Sequence, residues 1–338
     1  MTETREVLRW STASASVRGS SHRRSETVNQ DAVLVRELDD AVVVAVADGH
    51  GSRTHMRSDA GSRLAVEAAC SLGAELIDDG LLRRPESEIV TMLEHDAGPA
   101  LVERWRAAVL DHVADNPWTA DDLAISPGAP GDPFHGYGTT IMVALAGRER
   151  VAVLQLGDGD VLVGHRSGRA ALPVPGDDRL IGNQTTSLCL ESAPDDFRAT
   201  AIALDGDPIR FVSITTDGYA NSFASENWGD EVGADILEHL DRDGLPYVAE
   251  SLEDWLGESA EIGGDDVTMG LLVADLETVE VEDLEPLDGP QRDLDDLDDV
   301  TTEVKGRRRS RRRLLLIVLA VLVVLGAGVG AAIALFVL

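Results

Sequence analysis

AVVVAVADGHGS, residues 41–52, decides how the rest of the chain is read. A run of alanine and β-branched valine has the character of a buried strand. It stops at Asp48, and Gly49, His50 and Gly51 follow at once. Asp-Gly after a strand is an ordinary turn signal. Here the turn also delivers a carboxylate, a bare backbone and an imidazole to one place.

Working outward, the residues 41–47 and 32–38 are separated by Asp39 and Asp40 and read as a hairpin. Residues 139–146 and 151–156 flank a second turn, and 161–165 follows Gly157, Asp158 and Gly159. Later strands are expected at 209–215 and 267–274, and helices at 59–77, 86–113, 231–240 and 245–256. Hairpins in succession with helix pairs between them predict an α+β fold, with an antiparallel β core and helices packed outside. Residues 121–138 read as an exposed loop, and 172–198 as an irregular, mobile flap.

The chain has 338 residues, 43% of them hydrophobic, enough for a large domain with appendages. With 29 Lys+Arg against 61 Asp+Glu, the net charge of −32 repels phosphate backbones and argues against a nucleic-acid partner. Cys70 and Cys189 make neither a disulfide framework nor a zinc spacing and read as small core residues. Residues 1–20 carry no apolar signal-peptide stretch.

The other end differs. Residues 314–338 are an unbroken apolar run, ~37 Å as a helix. The hydrocarbon core is ~30 Å thick, so the run is read as a C-terminal transmembrane helix. The basic cluster at 306–313 precedes it and contains RRRSRRR, Arg307 to Arg313. Basic residues stay on the cytoplasmic side, which would place residues 1–275 in the cytoplasm and the cluster against anionic lipid. Residues 276–305, rich in Asp and Glu, read as a disordered tether.

Further aspartates stand where strands meet turns. Asp31 precedes the first hairpin, Asp158 lies between strands, Asp217 follows one, and Asp265 and Asp266 precede the last. Carboxylates gathered at one end of adjacent strands repel each other, on the order of several kcal/mol, unless cations neutralise them. A donor set of hard oxygens favours Mg²⁺ or Mn²⁺. A structural Ca²⁺ site is disfavoured, because the residues are far apart in sequence and no EF-hand loop is present.

Six stretches in order carry a resemblance: GSSHRRSETVNQDAV, VADGHGS, YGTTIMVAL, QLGDGDVLV, ITTDGY and GGDDVT. Over residues 16–275 the chain resembles the PPM-type (protein phosphatase 2C) metal-dependent serine/threonine phosphatases, in a bacterial branch. The resemblance implies an α-β-β-α sandwich of two antiparallel sheets flanked by helix pairs. It implies that Asp48 bridges two metal ions, that the Gly49 carbonyl helps bind one, and that Asp217 and Asp265 complete a shell. Asp158 resembles the aspartate that supports a third, weaker ion, and His50 falls at the family's proposed general acid. The implied activity is hydrolysis of phosphoserine and phosphothreonine in proteins by a metal-activated water. The C-terminal anchor alone adds the expectation of an opposing serine/threonine kinase at the same membrane.

Three departures qualify it. Gln30 stands where many members have Glu, and Asp31 would share that ligand role. Glu26 stands where a phosphate-binding Arg is usual, which leaves His22, Arg23 and Arg24 as candidates for the substrate phosphate. Asp266 replaces an Asn. Gln30 and Glu26 motivate the competing expectation, a catalytically weak phosphoprotein-binding scaffold. His55, His95, His112, His135, His165 and His239 read as surface or packing residues.

Overall fold

In the computed structural model, residues 3–177, 179–180, 185–225 and 227–281 are described. The chain opens with β1 (Glu3–Val17) and a short helix α1 (Ser20–Ser25). The hairpin β2 (Ala32–Glu37) and β3 (Val42–Ala47) leads into α2 (Ser58–Asp78), α3 (Glu86–Met92), α4 (Gly98–Asp115) and α5 (Ala120–Ile125). Strands β4 (Ile141–Ala146), β5 (Arg150–Leu156), β6 (Asp160–His165), β7 (Ala170–Ala171), β8 (Arg198–Ala203) and β9 (Ile209–Thr215) follow. Helices α6 (Asp217–Ala220), α7 (Trp228–Arg242) and α8 (Gly244–Gly263) precede β10 (Val267–Val281).

The strands form two five-stranded sheets, ordered β1-β10-β9-β6-β7 and β2-β3-β4-β5-β8. Every strand of the second pairs antiparallel with its neighbour. The period of two along each strand assigns side chains to layers. Val42, Val44 and Val46 of β3 meet Val163, Val212 and Ile214 between the sheets. Val43, Ala45 and Ala47 point the other way, into a core with Ala65, Ala69, Leu101 and Trp105 of α2 and α4. Across the molecule, Leu162, Phe211 and Leu271 pack on Ile236, Leu240, Leu252 and Leu256 of α7 and α8. That is the expected α-β-β-α layering. It explains why β3 is apolar at every position: both of its faces are covered. Each buried valine, leucine, isoleucine or phenylalanine among them contributes roughly 1.5–3 kcal/mol.

Several sequence expectations change. The polar N-terminus contains β1, placed beside β10 at the edge of its sheet. Residues 86–113 are two helices, α3 and α4, joined through a π turn at Leu93–Ala97. The loop at 121–138 includes most of α5, capped by Thr119 and Asp122, and a 3-10 turn at His135–Tyr137 whose Tyr137 is fully buried. That turn packs close because α2 has glycine at position 61: a Cβ on Gly61 would lie 1.9 Å from the Tyr137 carbonyl oxygen. The described parts of the expected flap are anchored. The Leu188 N–H donates to the Thr139 carbonyl at 3.0 Å, and Leu188 is fully buried.

β10 continues to Val281, so the strand takes over the first residues assigned to the acidic tether. The remainder of the tether, the basic cluster at 306–313 and the apolar run at 314–338 lie outside the described residues. Among the described residues, no helix is long and apolar enough to cross a membrane.

Candidate active site

The carboxylates converge because the two sheets end together. Ala32 of β2 pairs with Ala47 of β3, so Asp31 and Asp48 leave the hairpin side by side. In the other sheet Thr215 of β9 pairs with both Met269 of β10 and Asp160 of β6. Asp217 and Asp265 emerge at that same end.

Threonines hold the Asp48 backbone. The Thr140 N–H and the Thr139 hydroxyl both donate to the Asp48 carbonyl, at 2.9 and 2.8 Å. The Asp48 N–H donates to Thr140 Oγ1 at 3.1 Å. Gly49 donates to the Gln30 carbonyl at 3.2 Å, an approach that only glycine permits, because a Cβ there would stand 2.5 Å from that oxygen. Asp31 accepts from the Thr216 hydroxyl at 2.9 Å, and Asp217 from the Asn221 amide at 3.0 Å.

Burial pushes Asp48 well above the usual carboxylate range, and Asp31, Asp217, Asp265 and Asp158 push it further. Burial, then Asp266, does the same to Asp31. Asp217 is pushed up to about 6 by burial and Asp158. Asp160 rises to about 6 through burial, Asp217 and Asp158, with Arg198 opposing weakly. The main influences on Asp48 and Asp31 beyond burial are other carboxylates and, for Asp31, two threonine hydroxyls; no cation is among them. A buried cluster of like charge without a cation is costly. Gln30 adds a second sign: its Oε1 is buried with no hydrogen-bond partner. A set of hard oxygen donors with an unpaired amide acceptor beside it fits divalent Mg²⁺ or Mn²⁺.

Gln30 is otherwise a structural link. Its amide donates to Ser58 Oγ at 2.5 Å, at the start of α2, and its carbonyl accepts from Ser62 Oγ at 2.6 Å. Asp266 is a clamp. Oδ1 accepts from the Gly19 N–H and Oδ2 from the Gln30 N–H, both at 2.7 Å.

The three residues read as phosphate candidates are occupied nearby. His22 Nδ1 lies 2.9 Å from Asp266 Oδ1, close to the clamp but not aligned for a hydrogen bond. Arg23 donates to the Arg18 carbonyl and to Glu261. Arg24 donates to Ser20 Oγ and Ser21 Oγ at 3.1 and 2.9 Å and is the one of the three without an acidic partner among the described residues. Glu26 ends α1 in a left-handed conformation, φ 59°.

His50 Nε2 stands 2.8 Å from Ser187 Oγ. The Ser187 hydroxyl also lies 3.1 Å from the Thr139 carbonyl, an acceptor for its proton, and can then accept from Nε2–H. Burial, then His55 and His135, lowers His50 to about 4. Sequence reasoning missed this neighbourhood. Ser187 lies in the segment read as a flap, and Thr185 of the same segment donates to Asp158 at 2.9 Å. Asp160, the first residue of β6, carries no sequence signal beyond its place as the second acid of Gly-Asp-Gly-Asp.

A sandwich of two antiparallel sheets with an uncompensated carboxylate cluster at their shared end defines the class, a scaffold for divalent metal. The chain belongs to the protein phosphatase 2C family, whose pattern it matches over residues 18–257. Solved structures agree in fold. A bacterial serine phosphatase is 14% identical, with 80% of this chain and 100% of that one covered at a TM-score of 0.52. Serine/threonine phosphatase Stp1 from Staphylococcus aureus is 13% identical, with coverages of 79% and 96% and a TM-score of 0.51. The S. agalactiae serine/threonine phosphatase is 16% identical, with coverages of 79% and 100% and a TM-score of 0.50. No curated protein matches the chain.

Proposed function

We propose that this chain is a divalent-metal-dependent phosphatase for phosphoserine and phosphothreonine in proteins, held by its C-terminal run at the cytoplasmic face of a membrane. The observation that carries the reading is the cluster of Asp31, Asp48, Asp217 and Asp265, drawn from both sheets, in which burial and neighbouring acids push Asp48 and Asp31 up. Asp48 would bridge two ions, with the Gly49 carbonyl, Asp217, Asp265 and Asp31 around them and Asp158 beside a third, weaker one. When bound, Mn²⁺ or Mg²⁺ supplies an acidified water and offsets phosphoryl charge.

The chain's own residues do the rest. Thr139 and Thr140 fix the Asp48 backbone, so the carboxylate needs no reorganisation to bind. His50 gives its proton to the serine or threonine oxygen that leaves. Burial keeps the free imidazole neutral near pH 7, so His50 would donate only once the negative charge of a bound phosphate ester has brought it to its protonated form. Arg24 is the candidate for steering the phosphate.

The basic residues 306–313 and the apolar run 314–338 support the membrane tether and contact with anionic lipid. A tethered phosphatase implies phosphoprotein substrates at the same surface and an opposing serine/threonine kinase there.

The test is phosphate release from a phosphothreonine peptide by the full chain in detergent, with Mn²⁺, Mg²⁺ or EDTA, beside Asp217→Asn. Release that needs metal and disappears in the variant is expected. A folded, metal-bound chain that releases nothing would overturn the enzyme reading in favour of a phosphoprotein-binding scaffold. Recovery of the full chain in the soluble fraction after cell lysis without detergent would overturn the tether.

A further inference from the structure

Beside the carboxylate cluster lies a second group of donors with different chemistry. His55 comes from the loop between β3 and α2, His135 from the 3-10 turn before β4, and Cys189 from the segment before β8. One ligand atom of each lies within 4.8 Å of the others. The three are remote in sequence, and no spacing motif announces them. We propose that His55, His135 and Cys189 form a binding site for one thiophilic divalent cation, with Zn²⁺ the favoured ion.

The donor set carries the choice of ion. Two imidazoles and a thiol select zinc over Mg²⁺, which takes oxygen ligands. Three protein ligands with an open fourth position is a known form of zinc site. With Zn–N of ~2.0–2.1 Å and Zn–S of ~2.3 Å, tetrahedral ligand atoms stand about 3.3–3.6 Å apart. Side-chain rotations of about an ångström close the present spacing to that.

The surroundings suit the purpose. His55 Nδ1 bonds the His135 backbone carbonyl, which only accepts. Nδ1 therefore carries the proton, and Nε2 presents its lone pair. That is how metal-binding histidines are commonly oriented. The imidazoles crowd together, tilted or edge-on: ring centroids are 4.4 Å apart for His55–His135 and 4.8 Å for His50–His55. Gly138 makes room, because a Cβ there would lie 2.6 Å from His55 Nδ1. Cys189 Sγ lies 3.3 Å from Ser187 Oγ, a hydroxyl able to support a thiolate. Binding displaces the thiol proton to solvent, so one proton is released per zinc bound through sulfur.

His50, whose ring centroid is 4.8 Å from that of His55, is within reach of the fourth position. An ion here would draw His50 away from Ser187, so zinc would inhibit turnover. This consequence, unlike binding itself, rests on the phosphatase reading.

The experiment uses the full chain in detergent with Mg²⁺ saturating, so that the carboxylate cluster is filled. Zinc is titrated against a chromophoric chelator, and bound metal is measured per chain. Co²⁺ serves as a spectroscopic probe for a thiolate charge-transfer band. One zinc per chain is expected. Cys189→Ser and His135→Gln should each weaken it at least tenfold, and Cys189→Ser should abolish the cobalt band. Asp48→Asn should leave both intact. Zinc binding unchanged in Cys189→Ser, or lost in Asp48→Asn and kept in Cys189→Ser, would overturn the proposal. If His135→Gln does not fold, the near-isosteric Cys189→Ser and the cobalt band decide alone. Stoichiometry and spectrum need no turnover, so they stand or fall apart from the phosphatase assay.

Discussion

Replacing Asp266 tests whether the acid that stands in the family's asparagine position is a clamp or an ion ligand. Its two oxygens take the buried N–H groups of Gly19 and Gln30, both at 2.7 Å. Asp266→Ala strands both donors. Each costs about 1–3 kcal/mol when left buried and unpaired, so the loss centres on about 4 kcal/mol. A whole domain has only about 5–15 kcal/mol to lose. At ~2–4 °C per kcal/mol for a chain this size, the melting midpoint falls by about 8–16 °C. Asp266→Asn keeps one acceptor and turns an NH₂ toward the other donor, so it loses roughly half as much. The assay is thermal and urea unfolding of residues 1–281 in EDTA, which removes any contribution from bound ions. The clamp fails if Asp266→Asn unfolds within about 0.5 kcal/mol of the parent while its Mn²⁺ affinity collapses, because that pattern belongs to a ligand.

In EDTA, the folded chain holds more protons than the unfolded one between about pH 4 and 6, since Asp217 and Asp160 are both pushed up to about 6. Stability should therefore fall as pH rises through that window. Asp217→Asn should remove at most about 3 kcal/mol of the fall, at 1.36 kcal/mol per unit, and urea midpoints that rise with pH would refute the sign. Gly61→Ala would set a Cβ 1.9 Å from the Tyr137 carbonyl oxygen and should cost about 1–3 kcal/mol or more, read as a lower melting midpoint. Gly138→Ala would press on His55 Nδ1 at 2.6 Å and His50 Cδ2 at 2.7 Å. A displaced imidazole of that order should lower turnover by about 10²-fold with Mn²⁺ affinity unchanged, and parent-like turnover would show that His50 needs no such placement.

What the sequence made legible were segments whose signal is local. β3 is apolar at all six positions, and Asp48-Gly49 ends it, so strand and site could be read together. β1 was illegible because an edge strand needs only one paired side and few apolar residues, and Glu3–Val17 is largely polar. The roles of Asp266 and His22 were illegible for another reason. Asp266 lies 236 residues from Gln30, and nothing near it says that its oxygens face two amides rather than an ion. Ser187 and Cys189 were hidden in the same way. Their segment has no period, and its placement depends on Leu188 reaching Thr139 across the fold.

The apolar layers do not need Asp31, Asp48, Asp160 or Asp217. The sheets are held by Val42, Val44, Val46, Val212 and Ile214 between them and by helices outside, none of which touches the acid cluster's chemistry. The cluster works against that core, since Asp48, Asp31, Asp160 and Asp217 are all held above their ordinary range by burial and by other acids. A chain selected for stability alone would have lost them. A cation that binds only the folded chain would offset that cost, by about 2.7 kcal/mol at a hundred times its Kd. Because Asp31 and Asp48 come from one sheet and Asp217 and Asp265 from the other, such an ion would join the two sheets at the end where the apolar core runs out. Metal binding would then tighten that end of an already closed sandwich, and a chain stripped of metal should loosen first at the ends of β2, β3, β9 and β10.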